Sequence, residues 1–436
     1  MGPGRSATTC TSCRWTRSDE ANVRVPYRLS NDYSENEKIF IRAALQEIST
    51  LTCVHLVERS TEEDFLDIGS GSGCWSHVGK VGGAQYLSLM KTGCLSRGVI
   101  QHEVQHALGF YHEQSRSDRD DFIDVMWQYI DESDWSNFEM VDTDNLDEPY
   151  DYSSVLHYGW YAFSNTSGQL SLKPKPDPTV SIGQRYGLSQ EDVTKVKKLY
   201  GCRLCSFLLT GLNGFLDSRS YMSEYSKEKT CLWLIRVNTN KALMHIQSFN
   251  VSPSSDCSSN YITVYDGANT SSPLLIDKAC GRREFPLLVA STGAMLLEFV
   301  HDENSTSLDT EFQVAYSSVD CGGTHLEDHG TVTSPGYPNV YPNMANCITT
   351  IWAPPGYQIV LDFTALDVEY SASCLYDYLI INDGGSPGSP ELGRFCSDMK
   401  IPTLMSTGNI LLLQFNSDVW MNKSGYSADY YFVKPE

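Results

Sequence analysis

The last eight cysteines of the chain repeat as a set. Cys205, Cys231, Cys257 and Cys280 recur at Cys321, Cys347, Cys374 and Cys396, with offsets of 116, 116, 117 and 116 residues. So regular a frame implies one folded unit present twice. Other stretches keep the same frame: NYITVYDGA matches DYLIINDGG, and STGAMLLEFVHD matches STGNILLLQFNSD. Alternating apolar residues and frequent turn residues predict antiparallel strands, hence two β-sandwich modules of about 115 residues each. The junctions KLYGCRLC and SSVDCGG leave no room for a long flexible linker.

At 436 residues the chain predicts two to four domains. Its 14 cysteines, an even number, point to disulfides formed in an oxidising compartment. Sequons at Asn165, Asn250, Asn269, Asn304 and Asn422 agree with secretion. No apolar run reaches the ~18 residues of a membrane-spanning helix. A net charge of −22 without a basic stripe argues against nucleic acid as a partner. The opening MGPGRSATTC has no apolar signal region. It formally fits a myristoylation pattern through Gly2 and Ser6, which Pro3 and the many cysteines make a poor reading. A leader and prosegment absent from this sequence, with a maturation cut at Arg5–Ser6, is the expectation. Cys10 and Cys13 form a CxxC pair that could be redox-active, metal-binding or a local disulfide. No βαβ pattern or second pair accompanies it.

The segment VIQHEVQHALGFYHEQSR carries the chemistry. His102 and His106, four residues apart, lie on one helix face, as two imidazoles reaching one ion must. Glu103 is one residue round the helix and suits a general base rather than a ligand. Gly109 can adopt the left-handed conformation that ends a helix, so the chain turns back and brings in His112. Three protein ligands leave a fourth position for water, the mark of a catalytic zinc site. HExxHxxGxxH is the metzincin signature.

With the continuation GFYHEQSRSDRDDFI, residues 6–202 closely resemble the astacin family of zinc endopeptidases. The fold expected is multidomain: an α+β astacin-type metzincin protease domain followed by two all-β sandwiches. Ser34 with Glu37, and Ser189 with Asp192, look like capping boxes opening helices in YSENEKIFIRAALQEISTLTC and GLSQEDVTKVKKLYGC. CVHLVER, DFLDIGS and QYLSLM read as strands. The resemblance implies that Cys53 pairs with Cys202 and Cys74 with Cys94. It favours the local disulfide Cys10–Cys13, as in hatching-type members. It also implies that Tyr158, in DYSSVLHYGWYAFS, is a swinging fifth ligand and transition-state donor. Leu156 stands where the family has a methionine beneath the histidines; leucine is close in volume, so activity should survive. Glu113 matches the glutamate that receives the freed terminal amine through water, here that of Ser6; a solvated carboxylate is the alternative. Substrate is expected along AQYLSLM by β-augmentation. Arg185 could favour acidic side chains near the cut, or be a surface arginine.

The stretch from 321 to 435, with CGG, SPGYPNVYPNMANC and CLYDYLIINDG, strongly resembles a CUB domain, and 205–318 is a more divergent copy. The resemblance implies disulfides Cys205–Cys231, Cys257–Cys280, Cys321–Cys347 and Cys374–Cys396. It also implies calcium in the second module, on Glu369, Asp377 and Asp418. The aligned positions in the first module are Ser252, Asn260 and Asp302, two carboxylates fewer, so no calcium is expected there. The expected function is a secreted zinc endopeptidase acting on extracellular proteins. Two modules without added EGF-like cysteines look most like amphibian hatching enzymes, which act on egg-envelope glycoproteins. The alternatives are a tolloid-like processing protease and a catalytically silent CUB adhesion protein.

Overall fold

The computed structural model describes residues 7–19, 21–222, 228–238, 240–301 and 310–435. Arg5, Ser6, Asp302 and Asn304 lie outside them. The chain divides into two compact units, Met1–Leu208 and Leu209–Glu436.

The first unit opens on a five-stranded sheet, in the order Val54–Glu58, Val23–Leu29, Phe65–Gly69, Ala84–Leu89, Cys74–Trp75. All neighbours are parallel except the last pair. Parallel neighbours need a crossover. The helix Glu35–Leu51 supplies it between Val23–Leu29 and Val54–Glu58. Its start is fixed by a reciprocal capping box between Ser34 and Glu37, and its Ile41, Leu45, Ile48 and Leu51 are buried. The strand Val23–Leu29 was not among those read from sequence, and it carries Pro26 mid-strand. Proline is tolerated there because Pro26 pairs with Val57 alone, and pairing on the other side begins only at Tyr27. Cys74–Trp75 covers the outer edge of Ala84–Leu89 at Ser88 and Leu89, so residues 84–87 pair with the strand Phe65–Gly69 only.

Two sandwiches of matching topology follow along the chain. In the first, Cys205–Leu209, Thr230–Arg236, Ala294–Val300, Tyr261–Tyr265 and Leu274–Ala279 form one sheet. In the second, Cys321–His325, Asn346–Trp352, Ile410–Asn416, Tyr378–Asp383 and Glu391–Phe395 repeat that order.

The strand Asn346–Trp352 is buried on both faces, unlike a strand with one solvated side. Cys347 and Ile351 belong to the core of their own module. Ile348 faces the other way and packs with Leu412, Leu287, Val289 and Val319 in a cluster spanning both modules. Hydrogen bonds complete the contact: Thr350 Oγ1 donates to the Leu287 carbonyl at 2.6 Å, Leu287 N to the Gly385 carbonyl at 2.9 Å, and Val289 N to Thr324 Oγ1 at 2.8 Å. The two sandwiches therefore share a packed face.

Disulfides join Cys10–Cys13, Cys53–Cys202, Cys74–Cys94, Cys257–Cys280, Cys321–Cys347 and Cys374–Cys396. Cys205 and Cys231 are also disulfide-bonded, and no cysteine is free.

Candidate active site

The helix Arg97–Ala107 presents His102, Glu103 and His106 toward the interior of the first unit. Ser96 caps its start by accepting from Val99 N. Gln101, buried on the same helix, donates to the Ala44 carbonyl of Glu35–Leu51 and accepts from Leu188 N. The helix stops at Gly109, whose φ of 106° lies in the left-handed region. A Cβ there would also meet Thr8 Cγ2 at 2.9 Å. The reversal delivers His112.

The Nε2 atoms of His102, His106 and His112 lie 3.1, 3.2 and 3.2 Å apart. His102 Nδ1 is 2.7 Å from the Val155 carbonyl, and His106 Nδ1 is 2.7 Å from the Phe110 carbonyl. A carbonyl can only accept, so in both rings the proton sits on Nδ1 and the Nε2 lone pair is free. Burial drives His106 down to about 4 and holds His102 and His112 well below the ordinary histidine value, so the rings are neutral. Lone pairs aimed at one another across 3.1 Å repel unless a cation lies between them. A tetrahedral zinc with Zn–N of about 2.0–2.1 Å needs nitrogens roughly 3.3 Å apart. The three rings fit that ion.

Glu103 is buried beside them. Burial pushes its carboxyl up to about 7, against the pull of the Arg185 cation. The Tyr158 ring is tilted against His112 with centroids 4.6 Å apart, and burial raises its phenol to about 12. Gln114 holds the Tyr158 backbone N–H through Oε1 at 3.1 Å. Leu156 is buried, and its carbonyl accepts from Glu113 N. Arg185 is half-buried, with Nη1 donating to the carbonyls of His157 and Gln184 at 2.9 and 2.8 Å.

Sequence reasoning missed Asp192's second task. Beyond capping its helix with Ser189, its carboxylate accepts from Ser154 Oγ at 2.7 Å and Val155 N at 2.9 Å. Asp192 thus holds the residue, Val155, whose carbonyl orients His102. The capping-box spacing was visible in the sequence; the contact with residues 38 and 37 positions away was not.

In the second unit Glu369, Asp377 and Asp418 converge, with ligand oxygens within 4.8 Å of one another. Tyr341 OH donates to Asp377 Oδ2 at 2.6 Å, and Asp418 N to Asp377 Oδ1 at 2.7 Å. Glu369 Oε2 is buried without a hydrogen-bond partner. A buried, unpaired carboxylate oxygen facing two more carboxylates suits a hard cation. Among the described residues of the first module no such cluster occurs. Ser252 Oγ lies 2.9 Å from Thr310 Oγ1, and Asn260 is buried.

The profile of the astacin peptidase family matches residues 11–201, and the CUB domain profile matches 205–316 and 321–430. The chain is 43% identical to the embryonic protein UVS.2 of Xenopus laevis, over 99% of this chain and 83% of that protein. It is 45% identical to the astacin-like metalloendopeptidase of Gallus gallus, over 72% and 77% of the two chains. The high choriolytic enzyme 1 of medaka, a hatching enzyme zinc-protease, is 44% identical over 45% of this chain and 99% of its own, with a TM-score of 0.44. With a zinc-fitted trio of imidazoles and likeness to UVS.2 along nearly its whole length, the chain belongs to the astacin family of metalloendopeptidases, as a member carrying two CUB domains.

Proposed function

We propose that this is a secreted zinc endopeptidase that cleaves extracellular proteins, with egg-envelope glycoproteins at hatching as its substrates. In this reading the protease domain spans 6–202 and the CUB domains 205–318 and 321–435. His102, His106 and His112 hold the zinc, which when bound polarises the scissile carbonyl and acidifies a water toward a pKa of ~7. Glu103 takes the water's proton and delivers it to the leaving amine. Tyr158 donates its phenolic proton to the oxygen on which charge develops. An extended substrate pairs along the open edge of Ala84–Leu89, at residues 84–87.

The observation that carries this reading is the convergence of three imidazole Nε2 atoms beside a buried carboxylate. A silent adhesion protein has no need of either. Calcium in the second CUB domain would tie together the loops bearing Glu369, Asp377 and Asp418 for substrate or matrix recognition. The embryonic origin named for the frog relative supports the hatching role. A tolloid-like processing role stands second: mouse tolloid-like protein 1 is 32% identical over 94% of this chain, which spans only 41% of it. Cleavage profiling by mass spectrometry on isolated egg envelopes and on matrix precursors tests the choice. Chelator-sensitive cuts confined to matrix precursors would overturn the hatching assignment.

A further inference from the structure

The loop after the strand Ile410–Asn416 exposes a run of apolar side chains. Trp420 is 72% exposed, Met421 66% and Val419 51%. Three hydrogen bonds lay a second loop beside it. Tyr341 N donates to the Lys423 carbonyl at 2.9 Å, Met344 N to the Asp418 carbonyl at 2.8 Å, and Asn343 Nδ2 to the Val419 carbonyl at 2.9 Å. That loop adds exposed Val340 and Met344. Soluble proteins rarely leave so apolar a patch bare. The sequon Asn422-Lys423-Ser424 begins at the very next residue. Met421, between Trp420 and Asn422, has a φ of 56°, in the left-handed region that a bulky side chain rarely adopts. The bend brings Trp420 and Asn422 closer than the ~6.6 Å that two residues span in a strand. Asp418 Oδ1 accepts from Trp420 N at 2.8 Å and fixes the indole's end of the bend. Asn422 itself is partly exposed. Asn165, in another sequon, instead spends its Nδ2, the atom that would carry a sugar, on Asp131 Oδ1 at 2.9 Å.

We propose that Asn422 carries an N-linked glycan whose first sugar packs on the Trp420 indole, so that the chain covers this patch with its own modification. A pyranose presents a face of C–H bonds that suits an aromatic ring, while its hydroxyls stay in water. The transfer breaks the C1–O bond of a lipid-diphosphate-linked oligosaccharide and forms a bond from C1 to Asn422 Nδ2. The amide gives up one proton, the lipid diphosphate leaves with it, and nothing is oxidised or reduced. The glycan adds bulk and hydroxyls where five apolar side chains face water. A carbohydrate fits here better than a protein partner, because a surface kept for a partner would not hold an acceptor for a bulky chain at its edge. The proposal rests on the secretion reading, since the oligosaccharide donor belongs to the secretory compartment.

The full chain is expressed in animal cells behind an added leader, and peptide mass mapping reads every sequon. Asn422 is expected to be modified in most chains. Asn422→Gln should raise the binding of an apolar fluorescent dye about twofold or more and lower the thermal midpoint of the CUB modules by about 2–4 °C. Trp420→Ala keeps the sequon but removes the ring. In that background Asn422→Gln should no longer shift the midpoint, and Trp420→Phe should restore part of the shift. A secreted chain with Asn422 bare overturns the proposal, and sugars at its other sequons would leave the secretion reading standing. Unchanged dye binding and midpoint in Asn422→Gln overturn it as well. A chain retained in the cell with every sequon bare counts against the secretion reading and overturns the proposal with it.

Discussion

His102 and Val155, 53 residues apart, are joined by a 2.7 Å hydrogen bond from the ring Nδ1–H to the backbone carbonyl. The bond fixes the tautomer that leaves Nε2 open. Val155 is held in turn by Asp192, so an aspartate on the closing helix determines how the His102 ring points. Asp192→Ala removes the acceptor for Ser154 Oγ and Val155 N. Zinc affinity should fall about 10- to 100-fold, as for other groups that orient a metal-bound histidine. Competition with a chromophoric chelator reads the change directly; undiminished affinity would show that the turn holds itself.

Glu103 and Tyr158 separate binding from chemistry. Glu103→Ala should retain stoichiometric zinc and lose about 10²–10⁴-fold in kcat. Tyr158→Phe keeps the ring against His112 but deletes the donor, and should cost about 10²–10³-fold. Metal analysis beside casein digestion is the check. Zinc lost in step with activity would make Glu103 structural.

A methionine in place of Leu156 should be nearly silent. Leu156 is buried, and methionine differs little in volume, so Leu156→Met should shift stability by less than ~1.5 kcal/mol with activity within a few-fold. Turnover raised by orders of magnitude would mean that the sulfur has a role packing does not capture.

Calcium binding should be single and pH-dependent. Burial, then the charges of Asp377 and Asp418, holds the Glu369 carboxyl above its usual range. A carboxyl with a raised folded-state pKa binds its proton more tightly folded than unfolded. The calcium-free chain should therefore gain stability as pH falls toward that value. The calcium-loaded chain should lose affinity over the same interval, because protons compete for Glu369. Titration calorimetry on the full chain should give one site, abolished by Asp377→Asn. A second site of equal affinity would contradict the unequal carboxylate sets of the two modules.

The shared face of the two sandwiches should make them unfold together. Leu412→Ala opens a cavity in the cluster with Ile348 and Leu287 and should cost about 2–4 kcal/mol. It should also split one calorimetric transition of the CUB pair into two. Two transitions already present in the unmodified chain would mean that the contact is weak.

The convergence of the three histidines was legible because its geometry is local. Two histidines one helical turn apart and a glycine that permits reversal dictate the approach of the third ring, whatever surrounds them. The duplicated cysteine frame announced two alike β-modules for the same reason: spacing survives in the linear order. Capping boxes at Ser34 and Ser189 likewise need only three residues of context.

Tertiary structure alone decided the rest. The tie from Asp192 through Val155 to His102, the Lys195–Glu113 pair 82 residues apart, and the packing of Ile348 against Leu287 all join segments distant in the chain. A lysine on an amphipathic helix reads as solvated unless a buried carboxylate awaits it, and a strand reads as one-sided unless a second module covers its outer face. Burial and charge compensation belong to the packed molecule; periodicity and spacing belong to the sequence.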